Sequence, residues 1–450
     1  MLLLEEMQRS MVGMGLLGKN AFHGLFSECD GLHRVCFQSV LSKLPLLADC
    51  VGLALGDQHS IILKQDGSVW SAGYNEHGQL GDGSSVGKVN FVRTFFNHAK
   101  VVAVGNDHSI VLTQDGFVWA TGKNEHGQLG FASRSGTSSF LQIFSGAHSV
   151  AAGRDYSMVL RQDGSVWATG RNSHGQLGDG TRNSRGRLVQ VVPSGVKTVA
   201  TGGYHSIVLK HDGSMWTTGS NSFGQLGMGV LFKDNIVFDK VVASDVKAVA
   251  AGCLHSLMLR QDGSMWATGR NLFGQLGDGS TVAKSTFTQV VSNNGKAVAT
   301  GHSYSMVLRQ DGSVWATGSN VHGQLGDGST TDRKIFVKVR HSDCKAVAAG
   351  YSHSMVLTQD GSVWATGWNL YGQFGDSSIT STSTFIRVAK LSESSVHDPV
   401  GLTEKWLPLD FAVTNKASAT GGKCCLCYVL SARLLQLMHS VVVSKSVTVL

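Results

Sequence analysis

A seven-bladed β-propeller, all-β and built from four-stranded antiparallel blades, is the fold class this sequence predicts. Three observations carry that expectation: a tryptophan recurring at a fixed period, an Asp-Gly dipeptide in every period, and a composition rich in glycine but poor in proline. The tryptophans are Trp70, Trp119, Trp167, Trp216, Trp266, Trp315 and Trp364, at spacings of 49, 48, 49, 50, 49 and 49 residues. A self-similar period in this range signals repeat architectures, and propeller blades fall within it. Glycine numbers 56 and proline 4. Disordered low-complexity chains are enriched in both, so this imbalance points to many ordered tight turns.

Each unit parses into four strands, and the fifth is typical. Its first strand is the small-residue run Ala248 to Ala251, small because inner strands crowd around a central axis. Its second is His255-Ser256-Leu257-Met258-Leu259. Asp262-Gly263 follows, as Asp-Gly does in all seven units, and between two apolar runs this dipeptide is a strong hairpin signal because both residues tolerate positive φ. The third strand carries Trp266, whose large apolar body is expected to pack between neighbouring blades. After the loop Gly274-Gln275-Leu276-Gly277, the fourth strand is the run Phe287 to Val291. A solenoid, the rival architecture, needs polar capping units, which the terminal segments do not supply.

Composition bounds the rest. Charged residues make up 15% of the 450 and hydrophobic residues 42%, which suits strands with much of their surface buried. The net charge of +7 is mild for this length and does not by itself indicate a nucleic-acid partner. Eight cysteines, at 29, 36, 50, 253, 344, 424, 425 and 427, do not follow the repeat, so they form no disulfide framework, and a reducing cytoplasmic or nuclear compartment is expected. At the N-terminus, Glu5, Glu6 and Arg9 interrupt the apolar start, which excludes a signal peptide.

The recurring order Gly-x-x-His-Ser, Asp-Gly-x-Val-Trp, Gly-x-Asn-x-x-Gly-Gln-Leu-Gly resembles the regulator of chromosome condensation repeat family over about residues 48–391. The resemblance implies a seven-bladed propeller. It also suggests functions to weigh, since members of the family include an exchange factor for the nuclear small GTPase Ran, a plant UV-B photoreceptor and domains attached to ubiquitin ligases. The photoreceptor carries tryptophans in its Gly-x-x-His loops; the corresponding pairs here, from Asp57-Gln58 to Tyr351-Ser352, contain none, so light sensing is excluded. Family exchange factors use a wedge-like insertion in one blade, for which spacings of 48 to 50 residues leave no obvious room.

Three divisions follow: 1–47, 48–391 and 392–450. In the first, Gly18-Lys19-Asn20 and Gly24-Leu25-Phe26 faintly echo the loop motif; in the last, Ala419 to Leu426 echoes Ala200 to Ile207. Two half-units closing the ring and two unpaired tails both remain open there, with 392–420 read as an unpaired tail. Residues 424–443 are largely apolar but contain Arg433 and His439, and a central arginine costs about 2.5–3.5 kcal/mol in a membrane span, so a membrane anchor is not expected. Cys424, Cys425 and Cys427 have no second cluster at zinc spacing, which leaves palmitoylation and metal binding weakly supported.

Strand order makes the first–second and third–fourth loops of every blade emerge on one face, with the Asp-Gly turns on the other. The variable pairs on the first face are asymmetric. Units one to three carry Asp57, Glu76, Asp107, Glu125 and Asp155; units four and five carry Tyr204, Phe223, Cys253, Leu254, Leu272 and Phe273; unit seven adds Tyr351, Leu370 and Tyr371, with Trp368 nearby. Aromatic anchors beside orienting charges suit a protein-binding surface. Asp57, Glu76, Asp107, Glu125, Asp155, Tyr204, Phe223, Leu254, Phe273, Tyr351 and Tyr371 are therefore the candidate partner-binding residues. On the opposite face, Lys64, Arg161, Lys210, Arg260 and Arg309 precede the turns and are balanced by the turn aspartates; the loop with Arg182, Arg185 and Arg187 reads as solvated charge.

Chemical motifs reduce to structure. Histidines 59, 108, 205, 255 and 353 each precede a serine, and Tyr156 and Tyr304 replace them in two units. Repeated copies a blade apart are not one catalytic constellation, and each ring is expected to hydrogen-bond a neighbouring loop. The Gly-Asp-Gly-Ser text at 81–84 and 277–280 lacks converging oxygens for calcium, because the aspartates lie in separate blades and Phe131 and Met228 replace two of them. No phosphate-binding Gly-x-x-x-x-Gly-Lys-Ser/Thr occurs. The expectation is a non-enzymatic scaffold with a protein partner and with no cofactor, catalytic residue or small-molecule substrate. Guanine-nucleotide exchange on a Ran-like small GTPase is the alternative, and chromatin contact finds no support in the charge.

Overall fold

The computed structural model describes residues 50–95, 98–340 and 342–388. They form seven separate four-stranded antiparallel sheets, each with its strands in sequence order: blades one to seven, spanning 50–95, 99–144, 147–192, 196–242, 246–291, 295–340 and 344–387. In blade five the strands are Val246–Ala251, His255–Arg260, Met265–Gly269 and Lys284–Val291. The fourth begins three residues before the expected Phe287, because Gly269 pairs with Lys284 across a register shift. No described helix is long and apolar enough to cross a membrane.

The Asp-Gly hairpins differ from expectation in type. In blade one, Lys64 N–H donates to Ser68 O and Gly67 N–H donates to Lys64 O, so Gln65, Asp66 and Gly67 make a three-residue loop. Only the glycine has positive φ (+78°), while its aspartate stays in the ordinary region. This is a turn followed by a left-handed glycine rather than a two-residue mirror-image turn. The aspartate instead caps the loop: Asp66 Oδ1 accepts from Ser68 N–H and Oγ–H, and Trp70 Nε1–H donates to Ser68 Oγ at 3.0 Å. Asp-Gly-Ser-x-Trp is thus one hydrogen-bonded relay, which blades three, four and six repeat in full.

Blades pack face to face through the tryptophans, as expected. Trp216 of blade four lies on the blade-three core of Met158, Leu160 and Val166, and Trp364 of blade seven lies on Met306, Leu308 and Val314 of blade six. Trp70 of blade one enters the core formed by Met355, Leu357 and Val363 of blade seven, which closes the ring. A polar staple accompanies this packing. Thr268 Oγ1 donates to Gly224 O of the preceding Gly-Gln-Leu-Gly loop at 2.9 Å, and Thr121, Thr169, Thr218, Thr317 and Thr366 do the same at 2.8–3.0 Å. At the seam between blades seven and one the position is Ala72, which has no hydroxyl. The backbone contacts of the other junctions remain there: Ser377 N–H donates to Val89 O and Asn90 bridges Asp376, as Gly180 N–H donates to Ile236 O and Asp179 bridges Val237.

Each blade is therefore one contiguous stretch of chain, and blade seven meets blade one directly. The half-units read at 1–47 and 392–450, and the cysteines at 424, 425 and 427, lie outside the described residues.

Candidate interaction face

The first–second loops of all seven blades converge on the central axis. Each contributes a glycine: Gly56, Gly105, Gly153, Gly202, Gly252, Gly301 and Gly350. Around them lies a cavity of about 110 Å³, the mouth of the bore. Close approach dictates the residue type. A Cβ on Gly56 would sit 2.5 Å from Gly105 O, one on Gly105 would sit 2.4 Å from Gly153 O, and one on Gly350 would sit 2.6 Å from Gly56 O.

Beneath the mouth runs a closed belt of side-chain hydrogen bonds. His59 Nε2 meets Ser109 Oγ of the next blade at 2.9 Å; His108 meets Ser157, His205 meets Ser256, His255 meets Ser305, and His353 returns to Ser60 at 2.9 Å. Ser109, Ser157, Ser256 and Ser305 spend their own hydrogens on the carbonyls of Gln79, Gln128, Gln225 and Gln275, so Nε2 must carry the proton and Nδ1 is bare. The Nδ1 atoms of all five histidines are buried without a partner. Burial lowers the histidine pKa values to about 3, and that of His108 to about 4, so the rings are neutral. In blades three and six, Tyr156 and Tyr304 donate instead to the backbone carbonyls of His205 and His353 at 2.6 Å. The partner of each ring is thus the following blade's second strand, not a neighbouring loop, and its role is to tie blades together.

The acidic arc is not uniform. Glu76 and Glu125 are exposed, but Tyr74 OH donates to Glu76 at 2.6 Å and Lys123 pairs with Glu125 at 3.4 Å. Asp155 is a correction to its reading as a surface acid: it is buried, 3.4 Å from Arg171 and 3.9 Å from Arg154, and holds those cations rather than facing outward. Asp57 and Asp107 are half-buried beside the mouth and have no ion pair within 4 Å among the described residues. Burial, then the charge of Asp107, pushes the Asp57 carboxyl up to about 7; burial likewise raises Asp107.

The apolar arc holds together across blades. Tyr204 is half-buried under Arg154 and Arg171, whose guanidinium carbons lie 5.4 and 5.6 Å from its ring centre. Arg270 sits between Phe223 and half-buried Phe273, at 5.4 and 5.7 Å. Phe223, Tyr351 and Tyr371 are exposed, and Leu254 is half-buried. Tyr351 stacks on His302 at 4.1 Å, while Tyr371 touches both Tyr74 and Trp368 at 5.1 and 5.4 Å. Sequence reasoning named these rings but missed the arginines woven between them. Arg154, Arg171 and Arg270 were legible as non-repeating positions beside the named residues, yet their pairing needs three dimensions. It also missed Phe232, on a loop one residue longer than its six counterparts; this residue has φ +58° and is 80% exposed.

On the opposite face the basic residues before the turns are balanced by the turn aspartates, as expected, and they also lie over indoles. Lys64, Lys210, Arg260 and Arg309 lie 4.6, 4.0, 4.4 and 4.0 Å above the tryptophans of their own blades, and Arg161 lies 5.9 Å from Trp167. Their alkyl stems cover the indoles, which share their charge as cation–π contacts. Arg182 and Arg185 pair with Asp234 and Asp179 at 3.2 and 2.6 Å. The Gly-Asp-Gly aspartates organise their loops, as expected: Asp278 Oδ1 accepts from Ser280 N–H and from Asn271 Nδ2–H at 2.9 Å. No three His, Cys, Asp or Glu side chains converge as a metal site among the described residues.

A family model described as the RCC1-like domain matches residues 17–335, and one described as the Regulator of chromosome condensation (RCC1) repeat matches residues 344–373. A comparison with curated proteins found no match. Among solved structures, human WBSCR16 is similar at 22% identity and a TM-score of 0.64, covering 70% of this chain and 88% of that one. Yeast RCC1 (Prp20), solved with Kap60 bound, is similar at 21% identity and a TM-score of 0.66, covering 75% and 85%. Saccharomyces cerevisiae Prp20p, described with its binding properties to Gsp1p and histones, is similar at 23% identity and a TM-score of 0.62, covering 68% and 82%. At these identities the likeness is one of fold.

Proposed function

The chain belongs to the RCC1-like domain family, and from that premise we propose that it is a non-enzymatic scaffold which binds a protein partner through the face around the seven-glycine mouth. One observation carries this reading: blades that repeat nearly the same text present seven different residue pairs in the Gly-x-x-His loops, all on one face. Acid at Asp57 and Asp107 lies across the mouth from the rings of Phe223 and Phe273, so a partner would meet charge on one side and apolar anchors on the other. That yeast Prp20p is described with Gsp1p and histones, and yeast RCC1 with Kap60, supports a partner that is a protein. The cytosol or nucleus is the compartment this reading implies.

The family resemblance keeps a second reading, exchange of guanine nucleotide on a Ran-like small GTPase. The experiment that separates the two is release of a labelled guanine nucleotide from such a GTPase, with and without the full chain. The expected result is no acceleration, together with capture of a protein partner that is lost with Asp57→Lys and Asp107→Lys. Acceleration of tenfold or more would replace the scaffold reading with the exchange reading. Capture that survives both substitutions would remove this face from the proposal.

A further inference from the structure

The sector where blades four and five meet differs from the rest of the face in the length of one loop and in the residue displayed at its tip. Its third–fourth loop in blade four carries the single inserted residue of the set and reads Gly227-Met228-Gly229-Val230-Leu231-Phe232, where blades one, three, five and six have Gly-Asp-Gly-Ser/Thr. Met228, like Phe131 in blade two, replaces the aspartate that in four blades pairs with a basic residue at the start of the fourth strand, as Asp278 does with Lys284. Phe232 is held in the left-handed region, a strained place for a bulky side chain, and its ring is almost wholly in solvent.

Along the rim the sector is continuous. Leu231 packs against Gly224 beside Phe223; Phe223 contacts Arg270; Arg270 contacts Phe273; and exposed Leu272 stands next to it. Arg270 has no carboxylate within 4 Å among the described residues, in contrast to Arg171, Arg185 and Arg333, which each hold an aspartate. The one acid of the blade-four loop, Asp234, is committed to His174 and Arg182. An apolar strip with one uncompensated guanidinium, flanked by two aromatic faces, is complementary to a carboxylate carried between apolar side chains.

We propose that this sector is a docking groove for a short extended partner segment in which an aspartate or glutamate seats on Arg270 while flanking apolar residues lie on Phe223, Phe273 and the Leu231–Phe232 tip. The inference rests on the face being a protein-binding surface and adds the chemistry of what it binds. A guanidinium recognises a planar carboxylate through paired N–H donors, and the neighbouring rings exclude water from that contact.

A random dodecapeptide library displayed on phage, selected against the full chain, tests it. Enriched peptides are expected to carry an acid next to apolar residues, to lose at least tenfold in affinity against Arg270→Glu, and to lose severalfold against Phe232→Gly, with neither variant melting below wild type. Enrichment of acid-free peptides, equal binding to Arg270→Glu, or no enrichment at all overturns the proposal. A protein partner released by Asp57→Lys but unaffected by Arg270→Glu would likewise overturn it, and would leave the scaffold reading standing.

Discussion

At the scale of the residue, the histidine belt has a thermodynamic signature. Five rings that titrate near 6.5 in an unfolded chain are held neutral down to about 3–4 when folded. Between those values the unfolded state binds more protons than the folded one. The stabilisation is therefore complete above pH 6.5 and is lost as pH falls towards the folded pKa values, with a slope of up to roughly 1.4 kcal/mol per pH unit for each histidine. His255→Tyr, the residue that blades three and six already use, keeps a hydroxyl donor for the next blade and removes one titrating group. Urea midpoints of the variant at pH 7 and pH 5 should differ by less than those of wild type, since one of the lowered histidines no longer titrates. An unchanged difference would mean that His255 is not neutral in the fold. The His-Ser motif showed in the sequence as structural, but its partner did not, because a bond spanning some 50 residues depends on how one blade meets the next.

At the scale of the element, the hairpin between the second and third strands shows how far a local motif can be read. Asp-Gly correctly marked the turn in all seven units, while the loop proved a residue longer because the residue after the glycine closes the ladder; in six units it is a serine, which in blade one donates to the aspartate and accepts from the indole. Gly263 bears the backbone demand: its φ is +80°, and a Cβ there would stand 2.9 Å from Asn294 N. Gly263→Ala should destabilise the protein by about 1–2 kcal/mol, measured by equilibrium denaturation, through left-handed strain and this contact together. A loss under a few tenths of a kcal/mol would show that the turn relaxes freely. The same element also holds an unread contact. From sequence, Lys210 or Arg309 beside a turn is a surface charge; in the blade the indole two residues after the turn serine lies directly below it.

At the scale of the molecule, seven blades and their order were legible because the period is nearly invariant and adjacent units pack on each other. What was not legible is how the face divides. Asp155 looked like its neighbours Asp57 and Asp107 in one dimension, and only the approach of Arg154 and Arg171 withdraws it from the surface. The seam is the second whole-molecule feature. Six junctions have a threonine staple and the seventh has Ala72. Ala72→Thr should add about 1 kcal/mol to the unfolding free energy by supplying a donor to Gly372 O. No gain, or a loss, would show that this buried position does not accommodate the added hydroxyl.

The glycine collar around the axis sets a gauge as well as a packing limit. In six of its seven members the nearest obstacle to a side chain includes a backbone carbonyl of the following blade, and at Gly153 it is the ring of Tyr156. Substitution cannot narrow this aperture in small steps, since the first added carbon already collides. Diversity among chains built to this pattern must be written on the rim, where loops lengthen and side chains change at little cost, while the bore keeps one calibre.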